Sequence, residues 1–311
     1  MNPSPRPRLA VTLGDPRGIG PEVVARALAA GELEAEVTLI GPDDQIESIS
    51  AERRVGLGVW GKGKGEGGKA SPELEAGRLA GREVEEAARL ARAGEVDAVV
   101  TGPVHKLALH LAGYRYPGLT EFLAHLAGDV EVAMMLAAGP LRVVLVTTHL
   151  PLREVPDRVT TERVVAVGRI ATAALVRWWG IERPRLAVCA LNPHAGEGGL
   201  FGTEDEAVLR PAAQALGAAG PLPADTVFVR ALKGEFDAVL TPYHDVGMTA
   251  VKVAGFGKGV NVTLGLPFPR TAPDHGTASD IAGKGVADPG SMRAALELAV
   301  QLAKQSLVRV G

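Results

Sequence analysis

Short apolar runs that stop at Gly, Thr, Asn or Pro alternate along this chain with longer segments of helical periodicity. The first run, LAVTLGD at residues 9–15, reads as a buried strand. It ends in the glycine-rich turn GDPRGIGPE and gives way to a helix opened by Pro21, whose missing N–H costs nothing in a first turn. Residues 72–94 have the apolar period of a helix, and VDAVVTG (96–102) is a strand followed by the loop PVHK. Strand and helix alternate again through LRVVLVTTHLP (141–151), RLAVCALNPHAGEGG (185–199) and FDAVLTPYHDVG (236–247). The stretch GSMRAALELAVQLAKQSLV (290–308) is amphipathic and is expected to pack beside the N-terminal units. This order predicts an α/β fold: a mostly parallel sheet with helices on both faces, divided into two α/β domains flanking a cleft. The expected domains are residues 1–115 plus 266–311, discontinuous, and residues 116–265. The Gly/Lys tract WGKGKGEGGKASPE (60–73) cannot bury surface and is expected to be an exposed, mobile loop.

The pattern places His149, His194 and His244 each just where a buried strand runs out. Ligands of open α/β sheets bind at the carboxyl ends of the strands, so three imidazoles are expected to meet in one cleft. Neutral imidazole suits borderline divalent metals, and three protein ligands leave a coordination position open for a substrate oxygen. Zinc is the expected ion, with cobalt, nickel or magnesium as alternatives. Asp225 and Asp245 are the nearest carboxylates in sequence, either to complete the coordination shell or to accept a proton; Asp245 is the candidate base. His110 and His125 lie in helical stretches and read as surface residues, whereas His105 and Lys106 follow a strand end.

Charge narrows the partners. Against 36 acidic residues stand 33 basic ones, a net of -3, and no basic run stands out, which argues against nucleic acid and membrane surfaces. The chain shows no signal-like segment and no apolar run of membrane-spanning length, so a cytoplasmic protein is expected. The single cysteine, Cys189, has no partner for an intrachain disulfide and reads as inert core. Lys252, Asn261 and Arg270 punctuate apolar, glycine-rich sequence, a composition suited to phosphate or carboxylate oxygens, so the substrate is expected to be an anion. The turn GDPRGIGPE fails as a dinucleotide fingerprint, because Val23 stands where the third glycine belongs.

Taken together, TLGDPRGIGPE, TGPVHK, GLTEF, TTHLPLREVP, LNPHAGEGGLFGTE, GPLPADT, YHDVGM, KVAGFGKGVNVTLGLPFPRT and DHGTA resemble the 4-hydroxythreonine-4-phosphate dehydrogenase family of vitamin B6 biosynthesis, over nearly the whole chain. The resemblance implies an isocitrate/isopropylmalate dehydrogenase-like fold and a homodimer with its active site at the subunit interface. There His149, His194 and His244 hold the divalent metal, with one ligand crossing between subunits, and Thr120, Lys252, Asn261 and Arg270 bind the substrate, chiefly its phosphate. It implies oxidation of 4-phosphohydroxy-L-threonine to a 2-amino-3-oxo acid that decarboxylates to 3-amino-2-oxopropyl phosphate. The family usually has histidine before the Thr of its G-H-T-E-F motif, where this chain has Leu119. Leucine donates no hydrogen bond, and one such bond to a charged group contributes about 1.5 to 3 kcal/mol. The loop His275 to Pro289 is also similar to the adenosine-binding loop of isopropylmalate and isocitrate dehydrogenases, which implies that His275, Gly276, Thr277 and Asp280 bind the nucleotide. A carboxylate at Asp280 disfavours the 2′-phosphate of NADP, so NAD is expected as the cofactor, with NADP the alternative. Two rivals remain at this level: a dehydrogenase for another 4-phosphorylated hydroxy acid such as 4-phosphoerythronate, which Leu119 keeps open, and a three-histidine zinc aldolase, which needs no nucleotide.

Overall fold

The computed structural model describes residues 6–61, 71–255 and 257–310. Most of the Gly/Lys tract therefore lies outside the described residues. In chain order the strands are β1 (Arg8–Thr12), β2 (Glu36–Gly41), β3 (Arg53–Gly56), β4 (Ala98–Thr101), β5 (Ala133–Ala138), β6 (Leu141–Leu145), β7 (Leu186–Cys189), β8 (Ala219–Leu222), β9 (Ala238–Thr241), β10 (Val260–Leu264) and β11 (Arg270–Pro273). The chain divides into two compact units, Met1–Glu131 with Leu266–Gly311, and Val132–Gly265.

In the first unit the strands run β3-β2-β1-β4-β11, all parallel. Leu9, Ala10 and Val11 of the central strand are fully buried, as a parallel strand with both faces covered requires. The helix Pro72–Arg92 lies within the span its apolar period predicts. Ser71 Oγ caps it by accepting from Leu74 N (3.2 Å), Glu73 and Glu75 occupy its first turn, and Arg89 and Arg92 its last. The helix Gly290–Val310 packs on β11 and β4 and beside the helix Gly20–Ala29, where the Arg293 guanidinium donates to the carbonyls of Ala27, Gly31 and Glu32. The helix Leu119–Leu126 belongs to this unit, so the division falls at 131/132 rather than at 115/116. Its Phe122 ring stacks with Tyr116 (4.8 Å) and meets Tyr114 (5.0 Å), while Arg92 donates to Leu126 O (2.9 Å). Those contacts are invisible to a boundary drawn from composition.

In the second unit the order is β10-β5-β6-β9-β7-β8. The four strands from β6 to β8 are parallel, but β5 pairs antiparallel with both β6 and β10. A mostly parallel sheet thus holds throughout the first unit and only in part here. The reason is local: Gly139, at φ 54°, turns Ala138 directly into Leu141, a two-residue connection that permits only an antiparallel pair. The core gathers Leu136, Leu141, Val143, Leu145, Cys189, Val227 and Val239. Cys189 is buried, and burial pushes its thiol up to about 12, so it is inert as expected.

One core residue of the first unit is ionisable. Glu83, on the helix Pro72–Arg92, is fully buried; its Oε2 accepts from Gly14 N (2.6 Å) and its Oε1 has no partner among the described residues. Burial holds the carboxyl well above its ordinary range, outweighing the hydrogen bond from the Gly14 amide, with the nearby Asp15 charge adding to the rise. An acid with a raised native pKa contributes stability below its ordinary range, and that stability is lost as pH rises through the raised value. Glu83→Gln is therefore expected to remove the alkaline loss and leave a flatter stability profile. Urea unfolding of both proteins at about pH 5 and about pH 9 checks this, and an unchanged slope would refute it.

Candidate active site

Within the second unit, β6 and β9 terminate together because their register is direct, Val143 beside Val239 and Leu145 beside Thr241. Beyond the last paired residues the two chains remain zipped. Val146 N donates to Thr241 O (2.9 Å), Thr147 N to Pro242 O (3.3 Å), and Thr147 Oγ1 to the same carbonyl (2.7 Å). Two and three residues beyond those contacts, the rings of His149 and His244 face each other with centroids 5.4 Å apart. His244 is the first residue of the helix His244–Gly255 rather than part of an open loop. Asp245 Oδ1 lies 2.7 Å from His244 Nδ1. A carboxylate only accepts, so Nδ1 carries the proton and Nε2 presents its lone pair, the arrangement usual for a metal-binding imidazole. Asp245 itself is largely open to solvent, its side chain 85% exposed.

β7 pairs with β9 on the other side, so His194 also follows a parallel strand at the same edge. It does not join the pair: among the described residues no group of three His, Cys, Asp or Glu side chains is placed to hold a metal ion. His194, Ala195, Gly196, Glu197 and Gly198 all have positive φ, from 40° to 78°, a left-handed run that L side chains other than Asn and Asp rarely adopt. Asp205 holds that loop's base. Fully buried, its carboxylate accepts from Leu191 N (2.8 Å) and Asn192 N (3.0 Å), while Asn192 Nδ2 donates to Glu204 Oε2 (2.8 Å). His194 is exposed, its ring 6.2 Å from that of Phe201. His149 and His244 are thus adjacent imidazoles, and His194 stands on a separate loop. Asp225 is exposed in the first turn of the helix Ala224–Leu232. Lys252 is exposed on the helix His244–Gly255, and Asn261, on β10, has a buried Oδ1 without a partner among the described residues.

In the first unit, Arg270 on β11 is 4% exposed and donates through Nε (3.2 Å) and Nη2 (2.6 Å) to Thr101 Oγ1 at the end of β4. Burial lowers its pKa to about 10, against an upward pull from Glu121. Thr120 stands in the first turn of the helix Leu119–Leu126, directly after Leu119. His105 and Lys106 are exposed at the start of the helix Lys106–Leu111, and His110 and His125 are exposed as expected.

The segment His275–Asp280 is seated on the glycine-rich turn. Ile19 N donates to Thr277 O (2.8 Å), and a Cβ at Gly18 would lie 2.8 Å from that same oxygen, so only glycine lets the two backbones approach. Farther along, Glu22 accepts from Ala287 N (2.9 Å) and Arg26 donates to Ala287 O (2.5 Å). His275 Nδ1 donates to Gly276 O (3.0 Å), leaving Nε2 a bare acceptor, buried and unpartnered among the described residues. Gly276 and Asp280 are exposed. Glu22, Arg26, Asp205 and Glu83 all escape a sequence reading. Only Glu83 leaves a signal, since it falls three and four residues from Ala80 and Ala87 on the apolar face of its helix.

The sequence profile of the family described as pyridoxal phosphate biosynthetic protein PdxA matches residues 21–299. The 4-hydroxythreonine-4-phosphate dehydrogenase of Geobacter metallireducens is 42% identical, over 97% of this chain and 97% of its own. The D-threonate 4-phosphate dehydrogenase of Salmonella typhimurium is also 42% identical, over 95% of this chain and 98% of its own. The crystal structure of 4-hydroxythreonine-4-phosphate dehydrogenase from Klebsiella pneumoniae, 39% identical, superposes with a TM-score of 0.84 over 96% of this chain and 99% of that one. At 18% identity and a TM-score of 0.52, a β-decarboxylating dehydrogenase from Thermococcus kodakarensis shares the fold alone, in line with the expected fold class.

The Asp205 clamp has a measurable consequence. Asp205→Ala leaves two buried amides without an acceptor and is expected to cost about 3 kcal/mol, read as a lowered urea midpoint. Amide exchange should rise across residues 191–199 first. Unchanged exchange there would mean that the loop holds its left-handed course without the carboxylate.

Proposed function

The chain belongs to the PdxA family of pyridoxal phosphate biosynthetic proteins, and from that premise we propose that it is a metal-dependent, NAD-linked dehydrogenase acting on 4-phosphohydroxy-L-threonine. The product is 2-amino-3-oxo-4-(phosphooxy)butanoate, which decarboxylates to 3-amino-2-oxopropyl phosphate. The paired imidazoles of His149 and His244, with Asp245 fixing the tautomer of one, carry this reading. They fit a divalent ion such as zinc, with cobalt, nickel or magnesium as alternatives, and His194 supplies the third imidazole in a homodimer whose active site lies at the subunit interface. Such an ion, when bound, is a Lewis acid that lowers the pKa of the substrate's secondary alcohol.

The remaining work falls to the chain's own groups. Arg270, a cation held almost out of water with Thr101 Oγ1 accepting from its fork, binds the substrate phosphate. Thr120, Lys252 and the unpartnered Asn261 Oδ1 give further polar contacts. Asp245 is the base: Oδ1 is engaged by His244, and exposed Oδ2 takes the hydroxyl proton. The segment His275, Gly276, Thr277 and Asp280 receives NAD, which supplies the nicotinamide ring that accepts hydride. Bare His275 Nε2 fits a nucleotide donor, and the exposed Asp280 carboxylate pairs with ribose hydroxyls and repels the 2′-phosphate of NADP. No helix among the described residues is long and apolar enough to cross a membrane, which accords with a cytoplasmic enzyme.

Leu119 favours one alternative within the same chemistry. Without a donor beside Thr120, the site suits a 4-phosphorylated hydroxy acid that lacks the amine, and one relative of equal identity is named for D-threonate 4-phosphate. NADH formation with each substrate, before and after chelation and zinc readdition, decides between them. Metal-dependent turnover of 4-phosphohydroxy-L-threonine with NAD preferred is the expected result, and activity on the amine-free acid alone would transfer the assignment. Arg270→Ala is expected to raise KM for the phosphorylated substrate about 10- to 100-fold with KM for NAD little changed. Equal losses for both ligands would remove Arg270 from the phosphate site.

A further inference from the structure

Gly14 explains why an acid is buried beneath the glycine-rich turn. Its φ of +84° and the Pro103 carbonyl, 2.3 Å from where a Cβ would stand, fix the chain's course as it leaves β1. On either side the backbone amides are satisfied by backbone: Leu13 N donates to Ile40 O and Asp15 N to Pro103 O. The Gly14 amide is turned toward the helix Pro72–Arg92 and finds Glu83 Oε2 at 2.6 Å. Directly above, the Asp15 carboxylate, 1% exposed, is gripped by Arg17 through its backbone N (2.9 Å), Nε (3.0 Å) and Nη2 (2.8 Å). Gly18 N then donates to Asp15 O (3.0 Å), and Ile19 N donates to Thr277 O. A continuous chain of hydrogen bonds and adjacent peptides therefore runs from Glu83 through residues 14–19 to the segment His275–Asp280.

We propose that Glu83 is a positioning residue for nucleotide binding: from beneath the turn it fixes residues 14–19, on whose Ile19 amide the nucleotide-binding segment is seated. This rests on the assignment of NAD to that segment. The carboxyl serves in its neutral form, for which full burial and the neighbouring Asp15 both argue. An apolar side chain of similar size would fill the space and leave the Gly14 amide without an acceptor, whereas glutamine keeps an acceptor oxygen.

The test compares Glu83→Gln and Glu83→Leu in the full-length protein. Calorimetric titration with NAD alone, amide exchange over residues 12–20 and 274–288, and KM for NAD against KM for the phosphorylated substrate are measured on folded protein. Glu83→Leu is expected to weaken NAD binding about tenfold, to raise exchange in both segments, and to leave kcat at saturating NAD and the substrate KM near wild type. Glu83→Gln is expected to bind NAD within about twofold of wild type. Folded Glu83→Leu protein with wild-type NAD affinity would overturn the assignment of Glu83 alone. Failure of the wild-type protein itself to bind NAD would instead overturn the nucleotide reading on which the assignment rests. Equal losses for NAD and the phosphorylated substrate would reduce Glu83 to general stability and also overturn it.

Discussion

Parallel strands that end in register are the constraint on which the second unit's chemistry depends. Because Leu145 lies beside Thr241, the segments leaving β6 and β9 emerge at one level, and the amides of Val146 and Thr147 extend the pairing past the sheet. Parallel pairing makes all carboxyl ends share an edge, so residues a few positions past each strand become neighbours however far apart they are in sequence. Nearly a hundred positions separate His149 from His244, and the strand register alone brings them into ring contact. The antiparallel β5 changes none of this, since its hairpin connection lies at the opposite end of β6.

Two buried carboxylates do comparable work in the two units by different electrostatic means. Asp205 receives two backbone amides at the base of the loop that carries the left-handed residues. Glu83 receives one short amide contact, and its burial holds its pKa well above the ordinary carboxyl range. In both cases the acid answers an amide that no backbone carbonyl reaches, and an unsatisfied buried amide costs more than a hydrogen bond is worth in water. Arg270 is the cationic counterpart, kept nearly dry, with Thr101 Oγ1 accepting from its guanidinium.

The relatives divide between amino-acid and amine-free substrates at equal identity, so overall similarity does not choose between them. Leu119, at the start of the helix that carries Thr120, is the residue of this chain that departs from the resembled motif there.

By itself the sequence determined the periodic pattern: apolar runs ending at turn residues, the helical period over residues 72–94, and the placement of three histidines after strands. These follow from local chemistry, since side-chain period depends on neighbours along the chain. Tertiary structure decided which strand ends become adjacent, where the first unit stops, and which groups are buried. The Phe122 ring contacts, the Asp205 clamp and the Gly14 contact to Glu83 join residues between 6 and 69 positions apart. The five left-handed residues of the His194 loop belong to the same class, since no apolar period encodes them. Periodicity reports only which face is buried; register, backbone handedness and unpaired amides are settled by what packs against that face.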